Sequence, residues 1–537
     1  MVLSNRVGAM NRMNRTALGM QGDSKNILTD FDMALSLTQQ AINTQLQFAW
    51  KAWVRRKNIE SEIVLPKFRV NKQGQQVPAV YGIRTKLAPI TIDFNVPNGK
   101  LGQVNVTLHL ESGVVTYFDE EVEDKATCAI ENWSVTVTVD LDKKAVDLNA
   151  LGTIDPDAKN IASETIAKSG LPESVFSIEY LFLKFTNANL LLSGGQQIQI
   201  PSGVPQAART KALESLNLLL QGEMGEFMLG TVVRRNRQQA TPTFAMTDFI
   251  FHVDPNAAAA DASTLSYLGM FSQRLPADIN AARIKLVNDW IRPDQINGQT
   301  STISGILAIR KEKFFDEYLI PLFTQQIGSA PAKNGDTRTY SIRNSGTDNP
   351  NNIGVQHLLD YSDGYTLNVT LVPGTNMLTI SGTISSSRTY RERTLKTLVH
   401  KDGLPTLSVN GSGTRTFNAA IVLTAEGIGT ELSIHPDLNN PQFSPIQVSG
   451  DTSGFAKVTQ AFQNLFGLQD MQTMLSNGAQ QKVNEISSVL QVVLSRIDID
   501  LSKHQFIPPG GGVFTFQNLH FSDQTGDLLM DVIYQAP

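Results

Sequence analysis

The sequence predicts an α+β fold in which long antiparallel curved sheets are each wrapped around a long amphipathic helix. Three observations predict it. Across residues 30–54, Phe31, Leu35, Thr38, Ile42, Leu46, Ala49 and Trp53 recur at three- and four-residue steps, which places them on one helical face. Extended runs follow in which apolar and polar residues alternate, the pattern of a sheet with one covered face. A second helical region, residues 455–497, is as poor in charge as the first and again accompanies a meander of strands.

Residues 1–27 hold Arg6, Arg12 and Arg15 but no apolar core of signal-peptide length, and read as a flexible leader. In the helix expected over residues 30–54, Thr29 or Asp30 caps the first turn and Asp32 suits the positive end of the dipole. Lys51, Arg55, Arg56 and Lys57 suit the negative end, and no charge lies between Asp32 and Lys51. The opposite face is Ser36, Gln39, Gln40, Asn43, Thr44 and Gln47, where a solvated helix would carry Glu and Lys. It predicts a helix covered on more than one side; an ordinary core helix is the plainer reading.

Residues 63–70 read as a short strand before the polar turn NKQGQQ. Val104, Val106, Leu108 and Leu110 alternate with polar residues, and Glu111-Ser112-Gly113 then reads as a hairpin turn into 114–118. The acidic run DEEVED, 119–124, reads as a solvated turn, with a calcium loop as the sharper alternative. Residues 133–141 alternate again, and 176–192 are apolar without a clear period. A helix is expected over 206–220, a strand over 244–253, and a strand over 303–309 leading into a helix over 313–327.

Residues 331–352, rich in Gly, Ser, Asn, Asp and Pro, read as a linker. It divides an N-terminal module, 28–330, from a C-terminal module, 353–537, with elements free to be shared between them. Strands are expected over 365–371, 377–384 (after the turn 373–376), 406–409, 416–423 and 431–434. In the second helical region Phe455, Val458, Phe462, Leu465 and Phe466 form one stripe. After Gly467 and Gly478, Val483, Ile486, Leu490, Val493 and Ile497 form another. A hairpin over 513–534 follows, turning at 523–526.

The chain has 537 residues, a net charge of -5, and 18% charged residues, so no general attraction to nucleic acid or an anionic membrane is implied. The single cysteine, Cys128, excludes an intramolecular disulfide and any cysteine-built metal site. No apolar run is long enough for a transmembrane segment. There is no Walker loop, dinucleotide fingerprint, nucleophile elbow or zinc-protease helix, and the seven histidines are scattered. No catalytic residue, cofactor or metal is therefore expected, and the chain is not expected to be an enzyme. An active site assembled from distant residues is the alternative. Two basic clusters, Arg234, Arg235, Arg237 and Arg388, Arg391, Arg393, Lys396, suit a phosphate head group or, more plainly, solvated turns.

Four stretches carry a resemblance. They are SGILAIRKEKFFDEYLIPLFTQQ (304–326), TDFDMALSLTQQAIN (29–43), TFAMTDFIFHVDP before STLSYLGMF (243–271), and GGVFTFQNLHFSD with DLLMDVIY (511–534). In order and spacing they resemble segments of the accessory proteins of clostridial OrfX-type neurotoxin gene clusters, members of the tubular lipid-binding (TULIP) superfamily. The resemblance implies a TULIP-like fold whose hydrophobic tube often holds lipid. The chain departs from the secreted eukaryotic members in having no disulfide pair and no secretion signal.

The expected function is non-enzymatic binding of lipid or another elongated hydrophobic ligand, as a bacterial toxin-cluster accessory or insecticidal factor. The alternative is a structural or interaction protein of the same fold with a filled core, acting in a protein complex. The helix stripes nominate Leu35, Ile42, Leu46, Trp53, Phe462, Phe466, Ile486 and Val493 as ligand-lining residues. Each methylene buried there would contribute roughly 0.8 kcal/mol. Expected partners are a lipid or hydrophobic small molecule and another protein of the same gene cluster, with no nucleic acid. The expected location is the bacterial cytoplasm, or outside the cell after release without a classical signal peptide.

Overall fold

The computed structural model describes residues 28, 30–59, 62–96, 102–168, 172–187, 198–235, 244, 246–256, 258–271, 275–286, 291, 293–297, 303–348, 355–394, 408–426, 433–450, 471–497, 499–500, 505–508 and 513–535.

In chain order, β1 (Met33–Thr38) runs straight into α1 (Gln39–Arg56). Next come β2 (Ile63–Leu65), β3 (Phe68–Val70), β4 (Gln76–Pro78), β5 (Gly82–Asp93), β6 (Gln103–Asp119) and β7 (Asp124–Val146). After α2 (Leu148–Ile154) and α3 (Pro156–Lys168) come β8 (Phe176–Lys184), β9 (Ile198–Gln199), α4 (Gln206–Leu218) and β10 (Glu226–Arg235). Then follow β11 (Met246–Asp254), β12 (Thr264–Phe271), α5 (Ile279–Lys285), α6 (Pro293–Asn297) and β13 (Gly305–Ile309). A π-helical turn, Glu312–Leu319, leads into α7 (Ile320–Ile327). The remainder is β14 (Ala332–Asn334), β15 (Thr337–Asp348), β16 (Val355–Val372), β17 (Met377–Thr394), β18 (Ser408–Glu426), β19 (Ser433–Phe443), β20 (Gln447–Gly450), α8 (Met471–Arg496), β21 (Ile499–Asp500), β22 (Gln505–Ile507), β23 (Val513–Phe521) and β24 (Leu528–Gln535).

The fold is β-rich α+β, and its strands pair antiparallel. One sheet has the order β11-β12-β1-β13-β24-β23. The four stretches that carry the family resemblance supply its six strands. A second sheet runs β2-β5-β6-β7-β8-β10-β22, and a third β14-β15-β16-β17-β18-β19-β21. Strands from late in the chain thus complete both the first and the second sheet.

Several elements differ from expectation. The opening helix begins at Gln39, and residues 33–38 are a strand between β12 and β13. Its burial on both faces is the physical reason. Met33, Leu35 and Leu37 face the main core, while Phe31 and Ala34 face a second cluster with Leu268 and Ile306, so no wet face marks the strand. Thr38, extended at φ -69 and ψ 152, caps α1 by accepting from the Ala41 N–H, in place of Thr29 or Asp30. Leu35 therefore belongs to β1 and not to the helix.

Residues 111–113 make no turn, because β6 passes straight through them. The register slips there, with Lys86 opposite Ser112 and Leu87 opposite Leu110. Gly113 is needed for close approach instead: a Cβ would lie 2.2 Å from the Arg84 carbonyl oxygen. Within the expected linker, residues 332–334 and 337–348 are strands, and β15 pairs along its whole length with β16. Residues 406–409 and 416–423, expected as two strands, belong to the single strand β18 where they are described. The acidic turn 119–124 joins β6 to β7, and the β23–β24 hairpin is as expected. Gly478 lies inside the uninterrupted α8, while Gly467 and the stripe from Phe455 to Phe466 fall outside the described residues.

Candidate ligand-binding site

The candidate site consists of the seats of the two long helices. α1 packs against β1, β5 and β10 through Ile42, Leu46, Ala49, Trp50 and Trp53, all buried. Trp50 and Trp53 stack at 4.9 Å between centroids, and both rings lie 6.3 Å from Phe227 on β10.

The uncharged face of α1 has a specific task. β2 covers β5 only at residues 83–85, which leaves the backbone of residues 92–94 without a strand neighbour on that side among the described residues. The helix supplies one. Asn43 Oδ1 accepts from the Ile92 N–H at 2.7 Å, and Asn43 Nδ2 donates to the Ile92 carbonyl at 3.0 Å. Gln39 Oε1 accepts from the Phe94 N–H at 2.8 Å. An amide offers a donor and an acceptor together, which neither Glu nor Lys does. Asn43→Ala leaves both Ile92 groups unpaired. It is expected to cost about 1–3 kcal/mol, read as a lower denaturant midpoint, whereas an unchanged midpoint would mean water replaces the amide there.

α8 rests on β16, β17, β18 and β19 and on α7. Leu475, Ala479, Val483, Ile486, Leu490, Val493 and Ile497 form its buried stripe. Beneath its first half lies a buried ion pair. Arg388 on β17 grips Asp363 on β16 with Nη1–Oδ1 at 2.6 Å and Nη2–Oδ2 at 3.0 Å. The Ser386 hydroxyl donates to Asp363 Oδ1 at 2.6 Å.

This corrects the reading of the basic clusters as solvated turns. Arg388 and Arg391 lie on β17, and Arg391 pairs with Asp360. Arg234 on β10 pairs with Glu179 at 2.7 Å, and Arg235 is buried with its guanidinium 5.9 Å from the Phe176 ring. Arg234, Arg388 and Arg391 are thus already neutralised by carboxylates. Arg237, Lys396 and the side chain of Arg393 lie outside the described residues.

Of the nominated lining residues, Leu35, Ile42, Leu46, Trp53, Ile486 and Val493 join one apolar cluster, and none exceeds 4% exposure. Their neighbours in that cluster are apolar side chains of the surrounding strands and helices. Phe462 and Phe466 lie outside the described residues. A cavity of ≈ 360 Å³ lies elsewhere, lined by Asp30, Met270, Pro276, Asp278, Ala282 and Lys285 among others. Its charged rim does not suit an acyl chain. Among the described residues no three His, Cys, Asp or Glu side chains converge on a metal position, and no helix is long and apolar enough to cross a membrane.

Sequence reasoning missed one polar knot in the first sheet. Asp32, fully buried just before β1, accepts from the Phe271 N–H through Oδ2 at 2.8 Å. Its Oδ1 lies 3.4 Å from Arg310 Nη2 and 3.8 Å from Lys313 Nζ, and Lys313 also reaches Glu317 at 2.8 Å. Burial pushes the Asp32 carboxyl upward, while the Phe271 hydrogen bond and the two cations oppose it. The available signal was a lone acid ahead of a long uncharged run, with Arg310 and Lys313 directly after an apolar strand.

No protein-family model matches the chain, and no curated protein matches it. Among solved structures, P47 from Clostridium botulinum A2 is similar with a TM-score of 0.45, at 11% identity, over 95% of this chain and 98% of that one. A lipopolysaccharide binding protein is similar with a TM-score of 0.34, at 9% identity, over 95% of this chain and 99% of that one.

Proposed function

We propose that the protein is a non-enzymatic TULIP-type module, each long helix wrapped by its sheet, whose core is filled by its own side chains. It acts as an interaction component of a protein assembly, such as a bacterial toxin-cluster accessory or insecticidal factor. The observation that supports a filled core is the apolar cluster that takes in the α1 stripe together with the α8 stripe from Ala479 onward, and includes Ile42, Leu46, Ile486 and Val493.

A second reading keeps the same frame and lets an elongated hydrophobic ligand or lipid part helix from sheet. It is favoured by the continuity of that cluster between the two seats, which offers a long apolar seam to an acyl chain. Native mass spectrometry of the purified protein, with analysis of an organic extract, separates the two. A mass equal to the bare chain and no binding to a lipid panel is the expected result. Stoichiometric recovery of a lipid overturns it in favour of the second reading.

A further inference from the structure

The β3–β4 hairpin pairs with no other strand among the described residues. It stands out as an arm: Phe68, Val70 and nearby Val80 are 57%, 67% and 45% exposed. Its turn is nonetheless well made, with Asn71 Oδ1 accepting from the N–H groups of Gln73 and Gln75. An isolated hairpin is marginal in water, and its free edges invite a partner. Beside it is the β6–β7 turn, where Phe118 and Val122 are 47% and 64% exposed. The Tyr81 and Phe118 rings meet edge to face at 6.4 Å and hold the root of the arm against that tip. These five are most of the large apolar side chains exposed among the described residues, the others being Leu218 and Val448. Such concentration marks an interaction surface.

The charges specify the partner. The arm carries Lys67, Arg69 and Lys72, and no acid occurs between Ile63 and Ile92. The tip, residues 119–124, is DEEVED. Among the described residues none of these charged side chains enters an ion pair. We propose that arm and tip form a self-complementary surface through which two copies of this chain pair about a twofold axis, the basic apolar arm of each lying on the acidic tip of the other. One patch bearing both signs is what an isologous interface requires. An anionic membrane would attract the arm but repel the adjoining carboxylates. The pairing stands apart from whatever fills the core.

Sedimentation velocity on the full chain tests this. At low salt, protein titrated through ~1–100 µM is expected to pass from monomer to dimer, and high salt is expected to shift it back as the charges are screened. An arm-reversed variant (Lys67→Glu, Arg69→Glu, Lys72→Glu) and a tip-reversed variant (Glu120→Lys, Glu121→Lys, Glu123→Lys) are each expected to self-associate about tenfold or more weakly. Mixed together, they are expected to recover a dimer, because both junctions are then complementary. Circular dichroism checks that the exposed substitutions leave the fold intact. Wild-type protein that stays monomeric throughout, variants that dimerise like wild type, or a mixture that remains monomeric overturns the proposal. Monomeric protein that instead binds phosphatidylglycerol vesicles assigns the surface to a membrane.

Discussion

Asp32→Ala is expected to destabilise the protein by about 1–3 kcal/mol, chiefly the cost of leaving a buried N–H unsatisfied and of removing one of the carboxylates that face a buried cation. The carboxylate is fully buried and faces two cations, Arg310 and Lys313, the second of which is itself buried. Removing it also leaves the Phe271 N–H unsatisfied where β12 ends. Asp32→Asn keeps an acceptor for that N–H and loses only the charge, so it is expected to cost less. A thermal or denaturant midpoint measured for both variants checks the order. Midpoints equal to wild type would mean that Glu312 and Glu317, which already pair with Arg310 and Lys313, suffice for the two cations and that Asp32 contributes little.

Gly478→Ala is expected to destabilise by about 1–3 kcal/mol, although alanine in a helix interior ordinarily stabilises by about 1 kcal/mol over glycine. The sign reverses because of what lies beneath. A Cβ at 478 would stand 2.7 Å from both Arg388 Nη2 and Asp363 Oδ1, and 2.8 Å from Ser386 Oγ. A free arginine tip would move aside, but this one is held by both oxygens of a short aspartate. Either α8 lifts from the sheet or the ion pair breaks. A variant more stable than wild type would show that α8 does not seat on the pair.

These two positions show what the sequence conceals. Strands β6, β7, β16 and β17 are legible because one face is covered and the other wet, which imposes alternation. The late half of α8 is legible because its stripe from Val483 to Ile497 keeps helical spacing. β1 is not, since both faces are buried and Leu35 and Thr38 happen to continue the rhythm of Ile42 and Leu46. Gly478 reads as a helix breaker until its neighbours from β16 and β17 are known. The polar knot joins residues nearly three hundred positions apart, a distance over which local spacing carries no signal. As for the candidate site, an apolar stripe has the same letters whether it meets lipid or the side chains of a sheet.

The first sheet has a consequence for how the chain is made. Gly305 in β13 pairs with Val532 in β24, so a ribosome working at ~5–20 residues per second exposes the β13 edge for roughly 11–45 s before its neighbour exists. Throughout that interval Ile306, Leu307 and Ile309 present an apolar, unpaired strand beside an already paired β1. A translation product cut short before Leu528 keeps the edge permanently open, and it is expected to aggregate where the full chain does not.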